Sequence, residues 1–194
     1  FLSGRDKTYR GTLRLGIATD TYDRDGTPLG PPRPVTVDVE AVGVAFERFQ
    51  GTVTQVPPVF SAKKVRGTPM YRLARRHKAV SPIPTTVTFR ELRLVGLSGT
   101  DVAFESQVSA GTYLRSFAHD LGVILGCGAH LYSLRRIAAG PFLVEGALTP
   151  DQLTSLGAAA LSRVMPLEDI PLRLPTLTLT AAGTHAIRHA RPCG

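Results

Sequence analysis

Thr8-Tyr9-Arg10-Gly11-Thr12-Leu13-Arg14-Leu15-Gly16-Ile17 decides the fold class, because Tyr9, Gly11, Leu13, Leu15 and Ile17 fall on one side and Thr8, Arg10, Thr12 and Arg14 on the other. A period of two belongs to a strand with one buried and one wet face. Residues 87–97 and 102–109 alternate in the same way on either side of Ser98-Gly99-Thr100, which predicts an antiparallel hairpin. Helical spacing appears at Val39, Val42, Phe46 and Phe49, with Thr36 as N-cap and Gly51 as the stop, and again at Leu114, Phe117, Ala118, Leu121 and Leu125, broken by Gly126 and Gly128. A shorter helix is expected over residues 129–137, and another through Met70, Leu73, Ala74 and His77. Thr149-Pro150-Asp151-Gln152 carries the capping box of one more. Strands precede and separate helices with no βαβ rhythm, so the expectation is an α+β fold, a mixed, largely antiparallel sheet flanked by helices.

Between these elements lie two loops of defined composition. Residues 19–30 are dense in Asp, Gly and Pro, and Gln55-Val56-Pro57-Pro58-Val59-Phe60-Ser61 is too rich in proline for a central strand. Asp20, Asp23 and Asp25 before Gly26 lack the acid spacing of a calcium loop and read as a turn. His185 and His189 have neither an intervening glutamate nor a third ligand, so no metal site is expected. No phosphate-binding loop, dinucleotide fingerprint or Gly-x-Ser-x-Gly elbow occurs. The longest weakly polar run, residues 121–131, is too short to cross a membrane. Two distant cysteines, Cys127 and Cys193, argue against a disulfide scaffold and fit a reducing cytoplasm. The chain begins with Phe1 rather than methionine and reads as a fragment.

Charge is unevenly placed. Arg48, Lys63, Lys64, Arg66, Arg72, Arg75, Arg76, Lys78 and Arg90 supply nine positive charges with no Asp or Glu among them, which more than covers the net charge of +8. Such a stretch is either a solvated face or a track for a polyanion, and charge alone leaves both open.

Six strings in order carry a resemblance. Lys7-Thr8-Tyr9, Thr19-Asp20-Thr21 with Asp23 and Asp25-Gly26, the run from Gln55 through Ser61-Ala62-Lys63-Lys64-Val65-Arg66-Gly67, Leu73-Ala74-Arg75, Gly111-Thr112-Tyr113-Leu114-Arg115, and the run from Asp120-Leu121-Gly122 through Cys127-Gly128-Ala129-His130 to Leu134-Arg135-Arg136 resemble the motifs of the bacterial tRNA pseudouridine synthase B family. The resemblance spans residues 3 to about 155 and implies the pseudouridine synthase fold. It also implies an isomerase, acting without cofactor or metal, that converts uridine-55 in the tRNA T-loop to pseudouridine after flipping the nucleotide into a pocket. By position, Tyr9 matches the tyrosine that stacks on the flipped base, Arg115 the arginine that pairs with the catalytic aspartate, Leu134 the apolar floor of the pocket, and Asp23 a loop acid that meets a neighbouring nucleotide. Pattern alone would equally make Tyr9 a core strand residue and Leu134 a core helix residue.

In the family the aspartate lies in a Gly-x-Leu-Asp-Pro string about thirty residues before Lys7-x-Tyr9, and these 194 residues contain no such string. The expectation is therefore residues 1–165 as a catalytic domain without its N-terminal part, about 50–90 as an inserted basic element, and 166–194 as a linker and the start of a truncated PUA-like module. Alone, the chain is expected to be an inactive monomer that binds the T-stem-loop of tRNA and needs no protein partner; a non-catalytic RNA-binding remnant is the competing reading. Tyr9, Arg115 and Leu134 should line one pocket, within about 12 Å of one another. Lys63, Lys64, Arg66, Arg72, Arg75, Arg76 and Lys78 should grip phosphates. Replacing Lys63, Lys64 and Arg66 with Ala is expected to weaken T-loop RNA binding and flatten the dependence of log K on log salt by about one unit for each phosphate no longer neutralised, as read by titration at several salt concentrations.

Overall fold

In the computed structural model, residues 3–65, 67–74, 82–170 and 178–189 are described. The chain divides into Phe1–Ser155 and Leu156–Gly194. The first unit is built on a six-stranded sheet made of β1 (Lys7–Leu15), β2 (Gly51–Gln55), β5 (Thr85–Ser98), β6 (Asp101–Val108), β7 (Ala129–Ala139) and β8 (Phe142–Leu143), in the order β2-β5-β6-β1-β7-β8. A separate two-stranded ribbon pairs β3 (Lys64–Val65) with β4 (Thr68–Pro69). Every strand pairing is antiparallel among the described residues. The helices of this unit are α1 (Val39–Glu47), α2 (Met70–Ala74) and α3 (Leu114–Ile124), and α4 (Pro150–Leu156) runs one residue past its end. The α+β architecture with a largely antiparallel sheet is thus as expected.

β1 lies inside the sheet between β6 and β7, and its alternation settles which face is covered. Leu13 and Leu15 are buried in the core while Arg14 and Arg10 face Asp101 and Glu105 across β6. At Gly11 the sheet demands a glycine: a Cβ there would stand 2.7 Å from the Ser133 carbonyl and 2.8 Å from the Phe104 ring. The hairpin of β5 and β6 turns through Gly99 at φ 59°, the left-handed conformation that glycine adopts without strain.

α1 and α3 pack on the core face. Phe117 of α3 contacts Phe46, Phe49, Phe89 and Phe104, with ring centroids 5.3, 4.8, 5.4 and 5.6 Å away, two of these in helix α1 and its exit and two in β5 and β6. α3 then approaches β7 closely at Gly122, where a Cβ would lie 2.1 Å from the Ala129 amide nitrogen.

Three sequence expectations change here. Residues 129–137 form strand β7, not a helix. β7 is 11 residues long against 9 in β1, and two register shifts make Tyr132 and Ile137 extra residues, so the apolar positions are spaced three apart in places and mimic a helix. Helix α1 is capped by Asp38, whose carboxylate accepts from the Ala41 amide at 2.8 Å, rather than by Thr36. β2 begins at Gly51, where no strand was expected. The capping box at α4 forms as read: Thr149 N–H donates to Gln152 Oε1 at 2.8 Å, and Gln152 N–H to Thr149 Oγ1 at 3.2 Å.

In the second unit, α5 (Ala181–Arg188) is capped by Thr180. The leucines at 172, 174 and 177, read as the start of an appended strand, lie outside the described residues. No helix among the described residues is long and apolar enough to cross a membrane.

The packing of α3 is open to two measurements. Phe117→Ala removes the ring that meets Phe46 and Phe49 on the helix side and Phe89 and Phe104 on the sheet side, and should cost about 3–5 kcal/mol, a large share of a domain's stability, measurable by denaturant unfolding. Burial pushes the Asp120 carboxyl up to about 6. Its folded value then lies above the unfolded one of about 3.9, so the cost of holding the charge is absent below about pH 4, grows between about pH 4 and 6 and persists above. Asp120→Asn should accordingly raise Tm at about pH 8 and leave it unchanged near pH 3.5.

Candidate functional site

Tyr9 stands on the core face of β1 and packs against the hydrophobic cluster. Its cross-strand partners are Ser106 on β6 and Arg136 on β7, and Leu134 is the partner of Gly11 two residues further along. Cross-strand partners share a face and their diagonal neighbours lie about 7–8 Å apart, so β1 and β7 bring Tyr9 and Leu134 together on one face. Leu134 is 43% exposed and also borders a hollow with Arg10, Gly11, Phe104 and Ile137. Ser106, whose buried hydroxyl has no partner, and the exposed Arg136 flank Tyr9, and sequence reasoning assigned neither a role.

Arg115 comes from the first turn of α3. Its guanidinium donates to the carbonyl of Phe60 at 2.9 Å and to that of Thr21 at 3.4 Å, so one side chain joins the two proline- and aspartate-rich loops. Among the described residues it makes no ion pair with a carboxylate. The same helix start is sealed by Gln55, buried at 2% exposure, which accepts from the Tyr113 amide at 3.0 Å and donates to the Tyr113 carbonyl at 3.3 Å. Ser116 Oγ donates to the Val56 carbonyl at 2.7 Å. These bonds fix the Gln55–Phe60 loop on α3 although Tyr113 itself contributes no side-chain cap. Gln55 and Ser116 carried no distinguishing signal in the sequence beyond the motif that contains Gln55.

The aspartate-rich loop is a turn system, as expected. Asp20 Oδ1 accepts from the Thr27 amide at 2.8 Å, Thr19 Oγ1 donates to the Asp23 carbonyl at 2.7 Å, and the Gly26 amide donates to the same carbonyl at 3.0 Å. Asp23 forms an isolated parallel bridge with Leu131 of β7, which puts this loop beside the strand that carries Leu134. Burial raises the Tyr22 hydroxyl's pKa, with Asp120 adding to the shift, and burial holds His119 below the ordinary imidazole value.

Of the basic residues, Lys63 is turned inward: its ammonium donates to the Ile83 carbonyl at 3.2 Å and to Thr85 Oγ1, tying the loop to the start of β5. Lys64 lies in the β3–β4 ribbon, and Arg72 is exposed on α2. Arg66, Arg75, Arg76 and Lys78 lie outside the described residues. No group of three His, Cys, Asp or Glu side chains that could hold a metal occurs among the described residues, and His185 and His189 face each other with ring centroids 4.4 Å apart.

Residues 1–114 match the N-terminal domain of the TruB family pseudouridylate synthases, and residues 115–170 the tRNA pseudouridylate synthase B C-terminal domain. The tRNA pseudouridine synthase B of Solibacter usitatus is 45% identical over 158 residues, 81% of this chain and 54% of that protein. Those of Chromohalobacter salexigens and Burkholderia mallei are 38% and 43% identical over 98% and 91% of this chain, and 62% and 59% of their own lengths. The chain thus spans little more than half the length of these curated relatives. Among solved structures, a Cbf5-Nop10-Gar1 complex matches 79% of this chain and 36% of its own with TM-score 0.57 and 26% identity. An H/ACA RNP bound to a substrate RNA containing 2′-deoxyuridine shares the fold at TM-score 0.54 and 23% identity over 79% of this chain and 35% of its own. With the order of its motifs, the sheet that carries them and the extent of these matches in agreement, the chain belongs to the TruB family of pseudouridylate synthases.

Proposed function

We propose that this chain is the RNA-recognising part of a tRNA pseudouridine-55 synthase, a cytoplasmic isomerase whose target uridine in the T-loop is flipped out of its stack before the base is turned. The observation that supports the reading is the β1–β7 register, which pairs Gly11 with Leu134 and so sets Leu134 diagonally opposite Tyr9, beside the loop that Arg115 and the Asp23 bridge tie in place. A flipped pyrimidine needs an aromatic surface, an apolar floor and a polar rim, and these residues supply one of each. Tyr9 would stack on the base and Leu134 would support it. Asp23 would meet a neighbouring nucleotide, while the basic residues of 48–90 would follow the phosphates.

The chemistry requires a carboxylate at Arg115, since the glycosidic bond is broken and re-formed through a covalent nucleophile in this reading. The 194 residues hold no Gly-x-Leu-Asp-Pro string, and Arg115 directs its described bonds to main-chain carbonyls. Alone, these residues therefore bind tRNA as a monomer without turning it over. The competing reading is a non-catalytic RNA-binding remnant of the family, and the observation on its side is that Arg115 has no carboxylate partner among the described residues.

Release of tritium from carbon-5-labelled uridine in a T-loop RNA tests both halves. The purified chain is expected to bind the RNA and release no tritium above background. Release by the chain alone would overturn the assignment of the nucleophile, and failure to bind would overturn the substrate.

A further inference from the structure

Tyr22 is the one non-glycine residue with positive φ among the described residues, at 62°. Side chains avoid that conformation unless surrounding contacts impose it, and such residues gather where position matters. Here the contacts are specific. The Tyr22 ring lies flat on His119 of α3, with centroids 3.9 Å apart and planes 15° from parallel. The Leu131 amide donates to the Tyr22 carbonyl at 3.0 Å, and the Arg24 amide donates back to the Leu131 carbonyl at 3.0 Å, so the residues on both sides of Asp23 are bonded to one residue of β7. Thr21, immediately before, accepts from Arg115. Arg115 and His119 are four apart and therefore share one face of α3.

We infer that Tyr22 and His119 are positioning residues: their stack fixes Asp23 between α3 and β7, in register with Arg115. The role of Asp23 as an RNA contact rests on the function proposed above; the mechanical claim does not. Without the stack, positions 21–24 keep five main-chain and guanidinium bonds and the Thr19 hydroxyl's bond to the Asp23 carbonyl, but lose the ring contact that holds the Tyr22 side chain and helps to keep its backbone in the left-handed region. Asp23, whose carbonyl and bridge depend on that backbone path, would then lose its fixed direction. His119 Nδ1 is buried with no partner, which marks the ring as placed for its flat surface rather than for hydrogen bonding.

The test uses the 194-residue chain with His119→Ala, Tyr22→Leu, His119→Phe and Asp23→Asn. Hydrogen exchange of the amides at 21–25 should accelerate at least tenfold in His119→Ala and in Tyr22→Leu, stay at the parent rate in His119→Phe, and leave β1 and β6 unchanged in all. Tyr22→Leu removes the stack from the loop side, so the claim is decided even if one variant fails to fold. Parent-like exchange in a folded stack variant overturns it. For RNA, His119→Ala should weaken binding to a T-stem-loop severalfold with Asp23 present and not at all in the Asp23→Asn background. Equal losses in both backgrounds would overturn the link to Asp23. If the parent chain does not bind that RNA, the substrate assignment fails and the exchange result alone decides the positioning claim.

Discussion

The Phe117 ring sets the geometry on which everything else depends. It meets α1 and its exit through Phe46 and Phe49, and the sheet through Phe89 and Phe104, so α3 can rotate about its own axis only by breaking aromatic contacts with both. With that face fixed by burial, the 3.6-residue period directs the others. Arg115 and His119 must look toward the loops, and Gly122 must meet the backbone of β7 at a distance no larger residue permits.

The two loops that would carry the chemistry have little regular structure of their own, and are held by side chains that reach for main-chain groups. Gln55 and Ser116 bind one loop to the helix start, Arg115 spans both, and Asp20 folds the other upon itself. Most of these peptide groups are part-buried, where leaving one unpaired carries a share of the desolvation penalty. The bonds also make the loops answer to α3.

Much of this is legible in the residues. Alternation marks β1, β5 and β6, and helical spacing with glycine stops marks α1 and α3, because each buries one face against a single layer. β7 defeats the pattern for a physical reason: its two extra residues, Tyr132 and Ile137, break the period of two and leave Leu131, Leu134 and Ile137 three apart, a spacing that suits a helix as well. The family motifs point to Tyr9, Leu134, Arg115 and Asp23, yet the partners of Arg115 are carbonyl groups, which every residue possesses, so no pattern could name them. The Tyr22–His119 stack joins positions 97 residues apart in the chain, counted from their numbers, and neither residue type announces it. Charge groups Lys63 with the exposed cations, and no pattern shows that its position at the foot of β5 also gives it carbonyl and hydroxyl oxygens to bond.

On its outer side β7 meets the loop at Leu131 and the short β8 at Ala138 and Ala139, and between these it pairs with no strand among the described residues. A row of vacant peptide donors and acceptors of this kind recruits any extended segment, including another copy of the same strand. Arg135 and Arg136, both exposed, occupy the middle of that row. Two adjacent like charges facing their own image repel, so the edge is guarded against stacking into fibrils by the residues it displays, and a preparation in which those charges were neutralised would be prone to precipitate.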